Sequence, residues 1–227
     1  MKLTVDDVSI DFFNFDYSNL KIGIAVSGGT DSALLLYLAA RYLKDVEIIP
    51  WSGYEIENRD HGFRPFTIDN AIDVVQIVKE KLPTSNISKH HIWTYDRCGI
   101  NKSVYMKNEI ESSIKNGIID IYVTGYSANP PIEVVQEWDT DVPVERFDFR
   151  DTRPNNSFYA PFANINKKFI ASLYKKYDLM DDLFPYTASC VGWAEETNWF
   201  TEPCKKCFWC HERKWAFGYY DGEKNYK

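Results

Sequence analysis

The stretch that most constrains this chain is KIGIAVSGGTDSALLLYLAARYLK, residues 21 to 44. KIGIAV is a short, largely apolar run, as a fully buried strand would be. DSALLLYLAARYLK is apolar all round and free of Pro and Gly, as a helix packed on a sheet would be. Between them lies Ser27-Gly28-Gly29-Thr30-Asp31-Ser32. A strand ending at Val26 and a helix starting near Ser32 leave backbone N–H groups free at the positive end of the helix dipole. Two glycines let an anion approach that backbone, and Ser27 and Ser32 add hydroxyl donors. The turn reads as a phosphate cradle. It lacks the Gly-Lys-Ser/Thr of a Walker A loop and the Gly-x-Gly-x-x-Gly of a dinucleotide turn. The plain alternative is a tight turn with Asp31 as helix cap.

The same strand-then-helix alternation continues along the chain. VEIIPWSGY (46–54), ISKHHIWTY (87–95), IIDIYVTG (118–125) and SFYAPF (157–162) read as strands. IDNAIDVVQIVKEKL (68–82), SVYMKNEIESSIKNG (103–117) and INKKFIASLYKKYDL (165–179) read as helices. The prediction is an α/β fold, a parallel five-stranded sheet with helices on both faces. Ligands of such sheets bind at the carboxyl ends of the strands, which brings residues 27–32, 52–57 and 125–129 to one edge. Residues 1–18 read either as a strand or as a docked extension.

Composition bounds the function. The net charge of −7 over 227 residues disfavours stable nucleic-acid binding, although Lys205, Lys206, Arg213 and Lys214 could form a local basic patch. No apolar run approaches the roughly 20 residues that span a bilayer, and no basic leader precedes an apolar segment, so a cytoplasmic protein without membrane contact is expected. In a reducing compartment, three cysteines within seven residues are metal ligands before they are disulfides. Cys204, Cys207 and Cys210 form C-x2-C-x2-C, and Cys190 supplies a fourth sulfur for a closed zinc site. Three alternatives stand beside it: His211 replacing one cysteine, an iron–sulfur cluster, or unligated buried thiols. Cys98 reads as a small buried hydrophobe.

SGGTDS resembles the pyrophosphate loop of the PP-loop ATP pyrophosphatase superfamily. The resemblance implies cleavage of ATP between its α and β phosphates, with adenylation of a substrate. By position, Ser27, Gly28, Gly29, Thr30, Asp31, Ser32 and Gly125 would bind the nucleotide, and Asp31 would orient Mg²⁺. The C-terminal half, FYAPFANINKKFIASLYKKYDLMDDLFPYTASC followed by C-x2-C-x2-C and ERKWAF, is similar to 7-cyano-7-deazaguanine synthases. That similarity implies zinc at Cys190, Cys204, Cys207 and Cys210, and a phosphate-facing, catalytic Lys167. The plain reading of Lys167 is a solvated helix-start lysine. The synthases usually carry Asp-x-Ser-Gly-Tyr-Pro-Asp-Cys against their deazapurine. Here GYSANPPIEVVQEWDTD stands instead, with Tyr126 to stack on a flat base and Asn129 to bond its edge.

The expected organisation is an ATP-binding α/β domain over 1–185 and a zinc unit over 186–227 packed on it. The expected activity is carbon–nitrogen ligation: a carboxylate is adenylated and ammonia displaces AMP, giving an amide or nitrile. The implied partners are a deazapurine or other nucleobase-like acceptor and ammonia, in a chain of an architecture that often pairs as a homodimer. The alternatives are a nucleobase- or tRNA-modifying enzyme and a nucleotide-binding protein without chemistry. Trp193, Trp199, Phe200, Phe208, Trp209, Trp215 and Phe217 are expected to dock the zinc unit on the domain rather than to stack on a ligand. His90 and His91 are adjacent, so they point to opposite strand faces and do not share a metal. Glu55 and Glu57 lie where this superfamily places its nucleotide, facing ribose or solvent.

Overall fold

The computed structural model describes residues 1–5, 7–55, 67–95, 102–150, 152 and 157–222. Cys98 and Glu57 lie outside the described residues. Five strands form one parallel sheet: β3 (Lys21–Ala25), β4 (Glu47–Glu55), β5 (His91–Tyr95), β6 (Ile121–Val123) and β7 (Phe158–Tyr159). Their order is β5-β4-β3-β6-β7, every neighbour parallel. A separate hairpin, β1 (Lys2–Val5) with β2 (Val8–Asp11), turns at Asp7 in the left-handed region.

The helices divide unequally between the two faces. On one face lie α1 (Thr30–Tyr42), α2 (Thr67–Lys81), α5 (Lys167–Lys176) and α6 (Phe208–Phe217), sharing a core with Ile22, Ile24 and Ile48. α1 packs between α2 and α5, which is why its residues from Ser32 to Ala40 are buried without a polar stripe. On the other face α3 (Lys102–Lys115) sits with Met106 and Ile110 against Ile49, Trp51, Ile119 and Tyr122, and a single turn, α4 (Ile132–Val135), follows β6. The chain steps from β3 out to β4 and β5, then returns past β3 to β6. That reversal opens a crevice at the carboxyl ends of β3 and β6.

The aromatic run after β2 settles the reading of the first residues as both hairpin and docked extension. Phe12 and Phe13 are buried, Phe12 stacks on Phe162, and Phe13 packs edge-on to Tyr159. The Phe13 amide donates to the Tyr159 hydroxyl at 2.9 Å, and burial pushes that phenol up to about 12. Among the described residues no helix is long and apolar enough to cross a membrane.

His90 and His91 do face opposite ways. His91 lies 3.2 Å from Glu109 on α3. His90 Nε2 lies 2.8 Å from the Ser52 hydroxyl, which itself donates to the Val26 carbonyl at 2.5 Å. The imidazole therefore donates to Ser52 through Nε2. Burial first, then the Lys79 charge and His91, lowers it from the usual 6.5 to about 4. A depressed histidine opposes folding only where the unfolded chain protonates and the folded one does not. Stability should fall as pH drops from 6.5 to about 4, by on the order of 1–2 kcal/mol after screening of this half-buried ring. Denaturant midpoints across that window should show the slope, and His90→Gln should flatten it.

Candidate functional site

The β3–α1 turn is built from its own side chains. Gly28 has φ +77°, a left-handed conformation that a side chain would strain, and its carbonyl accepts from the Ala188 amide at 2.9 Å. The Ser32 hydroxyl donates to the Gly29 carbonyl and accepts from the Ser27 amide, both at 3.1 Å, and meets the Ser27 hydroxyl at 3.1 Å. Both serines thus brace the turn as well as lining it. Gly29 is the N-cap, with no side-chain cap bond, so Asp31 does not serve as the cap. The first helical amide bond runs from Ala33 to the Gly29 carbonyl. The amides of Thr30, Asp31 and Ser32 lie in the first turn, where a helix offers no acceptor.

These residues open into a cleft of about 390 Å³ at the crevice between β3 and β6. Gly125 forms part of its wall. A Cβ there would come within 2.8 Å of the Asp31 carbonyl carbon and 2.9 Å of the Ser32 nitrogen. The close approach of the β6 end to the α1 start therefore requires glycine. Tyr126 and Trp209 supply flat walls, and Ala188, Ser189 and Cys190 face the loop from the C-terminal segment. A smaller recess of about 160 Å³ adjoins it beside Ser52, Gly53 and Trp93.

Lys167 is not a solvated helix-start lysine. It is 5% exposed, its ammonium donates to Asp31 Oδ2 at 2.7 Å, and it lies 3.3 Å from Glu212 Oε2. The latter contact has ion-pair distance without hydrogen-bond alignment, since Glu212 Oε2 has no hydrogen-bond partner. Arg146 donates to Glu212 Oε1 at 2.5 Å, to the Ser127 hydroxyl at 3.2 Å and to the Ser127 carbonyl at 2.8 Å. The Ser127 hydroxyl donates back to Asp31 Oδ2 at 3.0 Å. Asp31, Lys167, Glu212 and Arg146 thus alternate in charge around a largely buried ring that the neutral Ser127 closes.

Glu212, Arg146 and Ser127 were not singled out from sequence. The signals available were that Ser127 falls in the 125–129 edge, and that Phe208 and Glu212 are four apart on α6, so a carboxylate shares a face with a buried ring. Asn129, expected at the edge of a base, does not line the cleft; it donates to the Pro143 carbonyl at 2.8 Å and holds the loop after β6. Glu55 accepts from the Tyr95 hydroxyl at 3.1 Å.

The four sulfurs of Cys190, Cys204, Cys207 and Cys210 lie within 4.8 Å of one another, and those of Cys204 and Cys210 are 3.9 Å apart. Four thiolates about 2.3 Å from one tetrahedral ion would stand roughly 3.8 Å apart. The set fits a single metal ion. Amides of Gly192 and Cys204 donate to Cys190 Sγ, as partners around a metal-bound thiolate do. His211 is outside the group and stacks on Trp138.

The aromatic residues around this unit divide. Phe208 and Phe217 are buried, and Phe217 joins the core of the sheet. Trp199 is 76% exposed and Trp193 50% exposed, so these two do not dock the unit as expected. The local basic patch that the tail could form is reduced to Lys205 and Lys214, which meet over the Tyr220 ring. Arg213 is 1% exposed and pairs with Asp221, while Lys206 pairs with Glu196. Asp221 accepts from the amides of Ser189 and Cys190 at 2.7 to 2.9 Å, and Arg213 donates to the Thr187 hydroxyl at 2.9 Å. This clamp sets the segment that caps Gly28.

No family model and no curated protein matches the chain. Among solved structures it is similar to the U34-tRNA thiolase NcsA from Methanococcus maripaludis, described with its [4Fe-4S] cluster. The two are 14% identical with a TM-score of 0.45, over 72% of this chain and 58% of that one. The chain therefore spans under two thirds of that protein's length, and the likeness leaves function to the site itself.

Gly125→Ala should cost about 1–3 kcal/mol, because backbone and not a flexible side chain must yield. Thermal denaturation checks it. Asp221→Ala leaves Arg213 and the amides of Ser189 and Cys190 short of an acceptor and should cost about 3–5 kcal/mol, with Asp221→Asn recovering part of it. Denaturant titration of the two variants reads the difference.

Proposed function

We propose that this chain is a PP-loop ATP pyrophosphatase that adenylates a small acceptor and releases pyrophosphate. The observation that carries the reading is the Ser27–Ser32 turn, its left-handed Gly28 and open first-turn amides facing a cleft that also holds a buried lysine. An acceptor oxygen attacks the α-phosphorus and the bond to the β-phosphate oxygen breaks. The electron pair leaves on pyrophosphate, which the amides of Thr30, Asp31 and Ser32 and the Lys167 ammonium receive. Lys167 exchanges Asp31 for phosphate oxygens in doing so. Mg²⁺, where bound, offsets charge on the phosphates, and Asp31 Oδ1, with just a 3.3 Å bond from Thr30, is the oxygen suited to it.

The acceptor we infer is a flat heteroaromatic acid of the deazapurine kind, with ammonia as second substrate. Ammonia attacks the acyl carbon, AMP leaves with the former carboxylate oxygen, and an amide results. A second ATP would drive its dehydration to a nitrile. Support comes from the two aromatic walls, Tyr126 and Trp209, and from the four-cysteine unit closing the cleft beside Cys190. The sulfur spacing supports zinc rather than a cluster, whose several irons would hold the cysteines farther apart.

Purified protein given ATP, Mg²⁺, ammonium and 7-carboxy-7-deazaguanine should release AMP and pyrophosphate in step with conversion of the acid to amide or nitrile. Release of ADP and phosphate would overturn the reading. Lys167→Met should lower turnover by about 10²-fold or more. Metal analysis should find one zinc per chain, with no visible absorption from iron–sulfur.

A further inference from the structure

Resting on the nucleotide reading above, we propose that Glu212 is a positioning residue that sets how tightly the cleft holds its leaving anion. Glu212 is fully buried and lies on α6 two residues beyond Cys210, so the four-cysteine unit fixes where its carboxylate stands. One oxygen takes the Arg146 guanidinium at 2.5 Å, and the other faces the Lys167 ammonium at 3.3 Å. Lys167 lines the cleft, whereas Arg146 lies behind it, 5.1 Å from the Trp209 ring and 5.8 Å from that of Tyr126.

The ring is balanced. Asp31 and Glu212 contribute two negative charges, and Lys167 and Arg146 two positive ones. Charge in such a dry site is felt at several ångströms, because little water screens it. A pyrophosphate arriving beside Lys167 therefore meets a neutral set in which Glu212 tempers the two cations. Hydrogen bonding alone does not require this: an amide at 212 could still accept from Arg146, but it would leave the ring with a net charge of +1. An anion should then bind more tightly and leave more slowly. Removing Arg146 instead leaves a net charge of −1, and removing both charges restores neutrality.

The test measures the affinity of pyrophosphate with Mg²⁺ by calorimetry for the wild type, Glu212→Gln, Arg146→Met and the double variant, each checked for folding by circular dichroism. Glu212→Gln should bind on the order of tenfold more tightly or better. Arg146→Met should bind more weakly by a similar factor, and the double variant should return to within about threefold of wild type. Because a buried pair is lost whole, the double variant should fold, and with one single variant it fixes the order. In turnover, Glu212→Gln should lower KM for ATP and kcat together, a split that simple loss of structure does not give.

Equal affinities in all variants, or weakest binding by Glu212→Gln, would overturn the inference while leaving the nucleotide reading in place. Absence of pyrophosphate binding by the wild type would overturn both.

Discussion

Everything at the carboxyl edge of the sheet depends on one buried ion pair, Lys167 with Asp31 at 2.7 Å. It joins the first turn of α1 to the first turn of α5, 136 residues apart in sequence. Neither ion is stable alone in that setting, since an unpaired buried charge costs several kcal/mol. Their bond demands further partners, and the fold supplies them from two more segments. Glu212 takes up the remaining field of the lysine, and Ser127 donates to the same aspartate oxygen. The hydroxyl of Tyr174 donates to the Thr30 carbonyl at 2.9 Å, fixing the turn from the α5 side. The result is a site whose charges are positioned before any ligand arrives, which is the condition for electrostatic catalysis.

The local half of this arrangement was legible in the sequence. KIGIAV, SGGTDS and the apolar α1 stretch each carry their own instruction, because strand burial, glycine freedom and free helix amides act within a dozen residues. The cysteine group was legible for the same reason: C-x2-C-x2-C places three sulfurs by spacing alone, and a single further thiol completes the shell. Lys167 was readable only through resemblance, since a lysine at a helix start is ordinarily solvated. What makes it buried is Asp31, far away in the chain.

The long-range half was not legible. Glu212 and Arg146 look like charged surface residues until α6 and the loop after β6 are brought together. Asn129 looked like a ligand contact because it stands where the synthases carry the stretch that meets their deazapurine. Here the loop has no sheet or long helix to satisfy its backbone, so Asn129 and Arg146 serve the carbonyls of Pro143, Ser127 and Ala128 instead. Trp199 was read as packing. It follows Asn198 and precedes Phe200 in three successive left-handed residues, a turn that holds the indole out in solvent. Composition says that a ring needs burying, and only backbone geometry says that this one is not.

The C-terminal unit is therefore more than an appended group of cysteines. Its helix α6 ends in Phe217, which belongs to the core beneath the sheet, and begins at the cysteines. Between these anchors it carries Glu212 toward the ring and Arg213 toward Asp221. Arg213 and Asp221 hold residues 187–190, and the Ala188 amide closes on Gly28. The four-cysteine group thus reaches the turn by two routes, one through side-chain charge and one through backbone. A small unit built around four cysteines can in this way fix the position of atoms that it does not touch.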